Sequence, residues 1–238
     1  MNATTASLKG LYDITKDFTI DAFYSFQRNG TSEGVYYDKN DFYIGMNYNG
    51  LASKMVNNIS SNLFESAGNY NTEINSAITI RCLGAYSYQD FINAGFSAQG
   101  GNFLTDKFNY NYLSAAQDFK DGHSTVESHK NTNKLIAFFG RINLDINKLW
   151  FISASTRYEG SSRLGVNKKW SIFPAFGTGI DLSDIQNIEW INYLKFRVNY
   201  GITGNQPSVN FLSANILETM YLVYLNGSFI PGYVPANN

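Results

Sequence analysis

Few residues in this chain have both the type and the spacing for chemistry. Arg157 and Glu159 stand two apart. A strand would put them on one face, as an acid/base pair or as an ion pair on a wet surface. His123 and His129 stand six apart, with Asp118, Asp121 and Glu127 nearby. Imidazoles and carboxylates ligate metals, but this spacing matches no standard zinc pattern, and solvated loop residues account for it. Cys82 is the sole cysteine, which excludes an internal disulfide and a cysteine-rich zinc site. No nucleophile–base pair stands out. The chain is therefore expected to have no catalytic residue, no metal and no cofactor, and not to be an enzyme.

Two further groups suit binding. The run Gly160-Ser161-Ser162-Arg163-Leu164-Gly165 reads as a ligand loop or as a hairpin loop whose glycines permit the turn and whose Arg163 pairs locally. The aromatics Phe91, Phe96, Phe103, Phe108, Tyr110, Tyr112 and Phe119 suit stacking on sugar rings, and equally suit a loop that packs on itself. Phe103, Tyr110, Tyr112 and Arg163 are the ligand-binding candidates.

The elements that must position these residues are strands. In Lys134 to Ile146, Ile136, Phe138, Ile142, Leu144 and Ile146 alternate with Ala137, Phe139, Arg141, Asn143 and Asp145. In Leu149 to Glu159, Trp150, Ile152, Ala154, Thr156 and Tyr158 alternate with Phe151, Ser153, Ser155, Arg157 and Glu159. In Tyr193 to Thr203, Leu194, Phe196, Val198, Tyr200 and Ile202 alternate with Lys195, Arg197, Asn199 and Thr203. Successive strand side chains point to opposite faces, so each segment has one apolar and one wet face. Similar stripes start at Phe18, Ile74 and Trp170, the last interrupted by Pro174, which removes a ladder donor and is expected near a strand end or bulge. Cys82 falls on an apolar stripe. Weaker candidates are Leu8 to Ile14, Tyr36 to Tyr48 and Ile59 to Ala67. Phe211 to Leu225 is apolar on both faces and takes no side.

Connections fall into two classes. Thr15-Lys16-Asp17 and Asn147-Lys148 suit tight hairpin turns. Asp90 to Asn133 reads as one long connection, above the usual loop length and so functional or disordered. Nine or ten strands are expected, with no linker dividing residues 1–238 into domains.

Composition narrows the class. Charged residues are 16% of the chain, against roughly a quarter in soluble domains, and aromatics are as frequent. The net charge of -1 lacks the basic excess that a nucleic-acid partner requires. No apolar run approaches the ~18 residues of a transmembrane helix. Met1 to Ser7 has no basic region or apolar core of a signal peptide.

Alternation alone does not say which face is wet, and a soluble carbohydrate-binding sandwich alternates too. Three features favour membrane. The clean strands run about 11 to 13 residues, enough to cross a bilayer tilted, where soluble strands average about 5 to 6. Aromatics sit near the stripe ends, as at Trp150, Tyr158 and Trp170, where interfacial girdles need them. Tight turns alternate with long loops, as in outer-membrane barrels.

The stretch from Phe139 to Gln206 adds a resemblance. Phe139-Gly140-Arg141 opens it. Arg157, then Gly160-Ser161-Ser162-Arg163 and Gly165, follow at fixed spacing. Next come Trp170, Phe173 and Pro174. Leu194-Lys195, Arg197, Tyr200-Gly201 and Thr203-Gly204-Asn205 close it. Order and spacing resemble the SusC/RagA family of TonB-dependent outer-membrane transporters. The match covers roughly 70 residues strongly and extends more weakly from about Thr72. Glu159 stands for the usual Asp, Leu164 for Phe, and Gly179-Ile180-Asp181 for a Gly-Trp-Arg run.

The resemblance implies an all-β fold: part of an antiparallel transmembrane barrel, with 90–133 as an extracellular loop and neither the plug domain nor the TonB-contacting segment in this chain. It implies an outer-membrane location in a Gram-negative cell. It also implies contact with lipid, partnership with a SusD-like surface lipoprotein and TonB, and import of an oligosaccharide or peptide. A passive porin or adhesin barrel is the rival. Trp150, Ile152, Phe196 and Val198 are then expected toward lipid, and Arg141, Arg157, Lys195 and Arg197 toward the lumen. Nine or ten strands would leave two unpaired edges.

Overall fold

The structure is a computed structural model describing residues 1–165, 167–182, 194–207 and 217–235. Its strands are β1 (Asn2–Thr15), β2 (Phe18–Tyr37), β3 (Leu51–Asn75), β4 (Ile78–Gly101) and β5 (Thr125–Ile146). They continue with β6 (Trp150–Ser161), β7 (Trp170–Asp181), β8 (Lys195–Gly201), β9 (Leu217–Leu225) and β10 (Ser228–Pro235). The first eight form one sheet in chain order, and β9 and β10 form a separate hairpin. The printed pairings are antiparallel. Among the described residues β1 and β8 are edges, so this sheet does not close on itself.

Turn chemistry sets the register. Asn147 and Lys148 both have positive φ, 54° and 58°, as a type I′ turn requires, and Leu149 N–H donates to the Ile146 carbonyl at 3.0 Å. The connection holds three residues, Asn147 to Leu149, between the paired Ile146 and Trp150, so the two strands keep the same parity. Asn226 and Gly227, with φ of 51° and 85°, form a two-residue turn that sets Leu225 opposite Ser228. At Lys16-Asp17 the Thr15 hydroxyl accepts from the N–H groups of Asp17 and Phe18.

Two compact units emerge. Unit 1 is Met1–Lys9, Phe23–Phe64 and Gln89–Thr132; unit 2 is Gly10–Ala22, Glu65–Tyr88 and Asn133–Asn238. The portions of β3 and β4 in unit 2, Glu65–Asn75 and Ile78–Tyr88, have 11 residues each. That is the length a tilted strand needs to cross a bilayer, about 9 to 11 residues.

Some expectations change. The connection expected over 90–133 narrows to 102–124, because β4 runs on to Gly101 and β5 starts at Thr125. The polar Gly- and Asn-rich sequence there hides the strand period. Tyr36 to Tyr48 is not a strand: β2 stops at Tyr37, and α1 (Gly45–Tyr48) follows a turn. Asp41 breaks the strand by accepting from the N–H groups of Ile44 and Gly45, which offers the backbone a local alternative to the ladder. Pro174 lies inside β7 with no bulge in the β6–β7 register. Its carbonyl accepts from Ile202 N–H at 3.0 Å, one residue past β8. The donor it lacks therefore falls on a rung beyond the last β7–β8 pair. Of Phe211 to Leu225, residues 211–216 lie outside the described residues, and β9 takes the rest.

Parity separates polar from apolar side chains most cleanly over β5 to β8; in β1 to β3 it is mixed, with Leu11, Val35 and Met55 exposed and Tyr24 bonded to Asn62. Odd-numbered positions carry the polar contacts of Thr19 to Asp13, Asn69 to Asp21, Ser87 to Glu65, Gln89 to Ser61 and Arg81 to Asp145. Even-numbered positions expose large apolar side chains, among them Trp150, Ile172, Phe176, Phe196 at 63% and Val198 at 53%. Among the described residues only six apolar side chains are buried, and unit 2 contributes just Ala137. A soluble sandwich buries one whole face of its sheet; no such core occurs among the described residues. An uncovered apolar stripe of this kind is what the lipid-facing side of a barrel wall presents.

The stripe has two aromatic limits. Trp150 marks one. At the other, Trp170 stands directly across from Gly160, ten residues along β6. Ten residues at ~3.3 Å, tilted by ~40°, rise about 25 Å, the height of an outer-membrane apolar band.

Candidate functional site

The motif residues of the β6–β7 loop and of the segment after β8 form one hydrogen-bonded latch. Arg157 Nε donates to Glu159 Oε2 at 2.6 Å. The other Glu159 oxygen accepts from Gln206 Nε2 at 2.8 Å. Ser161 Oγ reaches Gln206 Oε1 at 3.5 Å, and Arg163 Nη1 donates to the Pro207 carbonyl at 3.0 Å. Ser162 ties the loop to β5: its Oγ accepts from Lys134 N–H, and its own N–H donates to the Lys134 carbonyl. The Gly165 carbonyl accepts from Lys168 N–H. Arg157 and Glu159 thus form a structural ion pair, and Arg163 is engaged with the chain itself.

Two glycines explain the aromatic spacing. A Cβ on Gly160 would lie 2.8 Å from the Trp170 ring. Trp170 stacks there on Tyr158 at 4.7 Å, with Phe138 at 6.4 Å. An aromatic ring covering a bare glycine across the ladder restores the packing the glycine lacks. Gly204 does this for the Phe173 ring, 2.5 Å from where its Cβ would be. Gly201 faces Ala175, 3.1 Å from such a Cβ. Gly140 has open space above it. Arg141 and Asn205 are exposed, and Tyr200 is exposed on the apolar face.

On the polar face of unit 2, a cleft of about 250 Å³ opens over β7. Gly177 and Gly179 floor it. A Cβ at Gly177 would collide with the Asn199 amide, and one at Gly179 would lie 3.1 Å from Arg197 Cγ. The bare floor therefore lets both β8 side chains lie across β7. Lys195 Nζ sits 3.4 Å above the centre of the Phe151 ring and 4.0 Å from Asp181 Oδ2. Arg81 is 3.7 Å from Asp145 Oδ2.

In unit 1 the long connection packs on itself. It carries 3-10 turns at Asp106–Asn111 and Leu113–Ala115 and a helical turn α2 (Asp118–Asp121). Phe103 is 1% exposed, in a small core with Ala52 and Ala116 against which Tyr36, Tyr110 and Phe119 pack. Tyr36 meets Phe103 edge-on at 5.5 Å. Its hydroxyl donates to Asp106 Oδ1 at 2.6 Å. Burial, followed by this bond to a carboxylate, pushes the Tyr36 phenol well above its ordinary value. A Cβ on Gly34 would strike the Tyr110 ring. Phe103 is therefore withdrawn from any ligand, and Tyr110 is engaged in packing. Tyr112 is 53% exposed, edge-on to Phe108 at 5.3 Å, and keeps a face for a ligand. Asp118 accepts from Gly101 N–H, and Asp121 from Gln117. No group of three metal-ligating side chains occurs among the described residues.

The structural roles of Gln206, Gly177 and Asn199 escaped the sequence. Gln206 lies just past the last motif residue, and only the fold brings it 2.8 Å from Glu159.

No family profile matches the chain. TonB-dependent receptor P39 of Formosa agariphila is 29% identical over 171 residues, covering 70% of this chain and 16% of that protein. TonB-dependent receptor SusC of Bacteroides thetaiotaomicron is 29% identical over 98 residues, or 40% of this chain and 10% of that protein. The RagAB peptide transporter structure superposes with a TM-score of 0.82 at 20% identity, over 99% of this chain and 26% of that one. The chain is SusC/RagA-like. The SusC/RagA-like chain spans about a sixth of the length of the first curated relatives it matches. Its fold agrees with part of a TonB-dependent barrel. The relatives are named as receptors rather than enzymes, in line with the non-enzyme reading of the sequence.

Proposed function

We propose that this stretch is wall of an energy-coupled outer-membrane importer. Its even-numbered face meets lipid, and its odd-numbered face lines the passage. The observation that carries this reading is the uncovered apolar stripe, about 25 Å between aromatic limits, on a SusC/RagA-like sheet. A closed hydrogen-bond ladder is the way strands exist in lipid; the wall performs no chemistry on the cargo. The cargo is an oligosaccharide or a peptide. In the intact protein the importer works with a SusD-like surface lipoprotein and draws energy through TonB. Exposed Tyr112, on the loop side, is the ligand contact that survives from the sequence candidates, and the motif residues of the latch are structural.

The test uses the intact protein in its own cells. It is expected in the outer-membrane fraction, and uptake of fluorescent oligosaccharides or peptides is expected to stop when TonB is removed. Uptake that persists without TonB would establish the passive porin instead. Recovery of the protein from the soluble fraction would refute both membrane readings.

A further inference from the structure

We propose that the row Lys134, Ser162 and Lys168 seats the phosphate headgroup of an outer-leaflet lipid, just beyond the aromatic limit of the apolar stripe. This rests on the reading of the even-numbered face as lipid-facing, with the loop end outermost. Charge follows parity in this part of unit 2. In its portions of β5 to β8 the acids Asp145, Glu159 and Asp181 and the cations Arg141, Arg157, Lys195 and Arg197 are all odd-numbered. Lys134 in β5 and Lys168 in the β6–β7 loop are the even-numbered charges at the loop end. Both are exposed, and neither has an ion-pair partner among the described residues.

The register brings the two lysines together. Phe138 stands opposite Tyr158, and Tyr158 opposite Ile172. One pleat further, Ile136 stands opposite Gly160, and Gly160 opposite Trp170. The next row continues the pattern. Ser162 N–H donates to the Lys134 carbonyl at 3.0 Å, and Lys134 N–H donates to Ser162 Oγ at 2.8 Å. Ser161 N–H donates to the Lys169 carbonyl at 2.9 Å, so the ladder still holds beside Lys168. The lysines therefore bracket Ser162 from both sides, about 10 Å apart at the backbone, a span that two flexible stems close on one phosphate. The row stands about 5 Å beyond Trp170. Trp and Tyr rings mark the headgroup level of a membrane, so lipid phosphate lies at this height. The Ser162 hydroxyl accepts from Lys134, which leaves its own proton to donate. Arg163 is held by the Pro207 carbonyl and does not compete. Continuity with the apolar stripe selects a lipid over a free anion: acyl chains descend along Tyr158 and Ile172, which are both exposed.

The experiment incubates the intact protein in detergent with dioleoyl phosphatidic acid or with dioleoylglycerol. These share their chains and differ in the phosphate. Native mass spectrometry counts the lipids retained. Phosphatidic acid is expected to bind about tenfold or more tightly, as two lysines beside a charged headgroup provide. Lys134→Gln combined with Lys168→Gln is expected to lose one retained phosphatidic acid per protein. Lys134→Arg combined with Lys168→Arg is expected to keep it. Lipid sites elsewhere on the intact protein are common to all variants and cancel in the difference. Unchanged heat-modifiable mobility on gels checks folding, and the single Gln variants replace the double one if it fails that check. Equal retention of the two lipids, a count unchanged by the Gln substitutions, or displacement by equimolar inorganic phosphate would overturn the site. Recovery of the protein from the soluble fraction would instead refute the lipid-facing reading, so the two failures are distinguishable.

Discussion

At the scale of residues, small groups fix large ones. The Trp170 ring occupies the place of a Cβ on Gly160, so Gly160→Val must displace it. The expected cost is about 1–3 kcal/mol, as for overpacking elsewhere. It would be read as a lower urea midpoint for the folded gel form. In the latch, Gln206→Ala and Glu159→Ala each remove one end of a bond. Their double-mutant cycle is expected to show a coupling of about 0.5–1.5 kcal/mol; strict additivity would deny the contact. Asp41 responds to acid. Hydrogen bonds from the backbone N–H groups of Ile44, then Gly45, hold its carboxyl below the ordinary value. A depressed folded pKa gives stability above the unfolded value, near 3.9, that is lost as pH falls through the folded value. Pepsin cleavage in 38–50 is therefore expected to rise only at the acid end of a series from about pH 5 to pH 2. Asp41→Ala should be cleaved at both ends.

At the scale of elements, parity is the organising variable. From β5 to β8 the pairings keep odd positions opposite odd ones, across the tight β5–β6 turn and the longer β6–β7 and β7–β8 connections alike, whereas the two-residue β9–β10 turn pairs Leu225 with Ser228. Neighbouring residues on β8 then face different solvents. Val198→Arg puts a charge on the apolar face, at a cost of about 2–4 kcal/mol at mid-membrane; Asn199→Arg puts it on the wet face. Assembly into the outer membrane, followed by heat-modifiable mobility, should fall sharply for the first and little for the second. Equal effects would refute the face assignment. The same parity explains the tolerated irregularities: Pro174 lacks a donor only where β8 has ended, and the glycines of β7 open the wet face.

At the scale of the whole molecule, edges dominate. β1 is exposed along its entire length, and its outer rungs have no partner strand among the described residues. Unpaired rungs of this length template pairing with another copy. Prepared alone, the 238-residue polypeptide is expected to self-associate. Proline at Ser7, which removes a donor, should reduce light scattering if the β1 edge is the seam. Scattering unchanged by that substitution would place the seam elsewhere.

Alternation by itself located the clean strands such as β6 and the tight turns, because a period of two and turn-forming Asn and Asp are local properties; it missed the strand over 90–101 and 125–133 and misread Tyr36 to Tyr48. The motif spacing determined the family likeness. The tertiary structure decided what those motifs do. Gln206 meets Glu159 across 47 positions, and no local pattern announces such a partner. The loop residues are the clearest contrast. Phe103, Tyr110 and Tyr112 are one residue class in one segment, yet Phe103 is buried and Tyr112 is exposed. Burial depends on which neighbours the chain brings back, here Ala52, Ala116 and Tyr36. The sequence likewise offered an acid/base reading of Arg157 and Glu159, and the fold made them a bonded pair inside a latch. What began as residues that could do chemistry became the means of holding a wall.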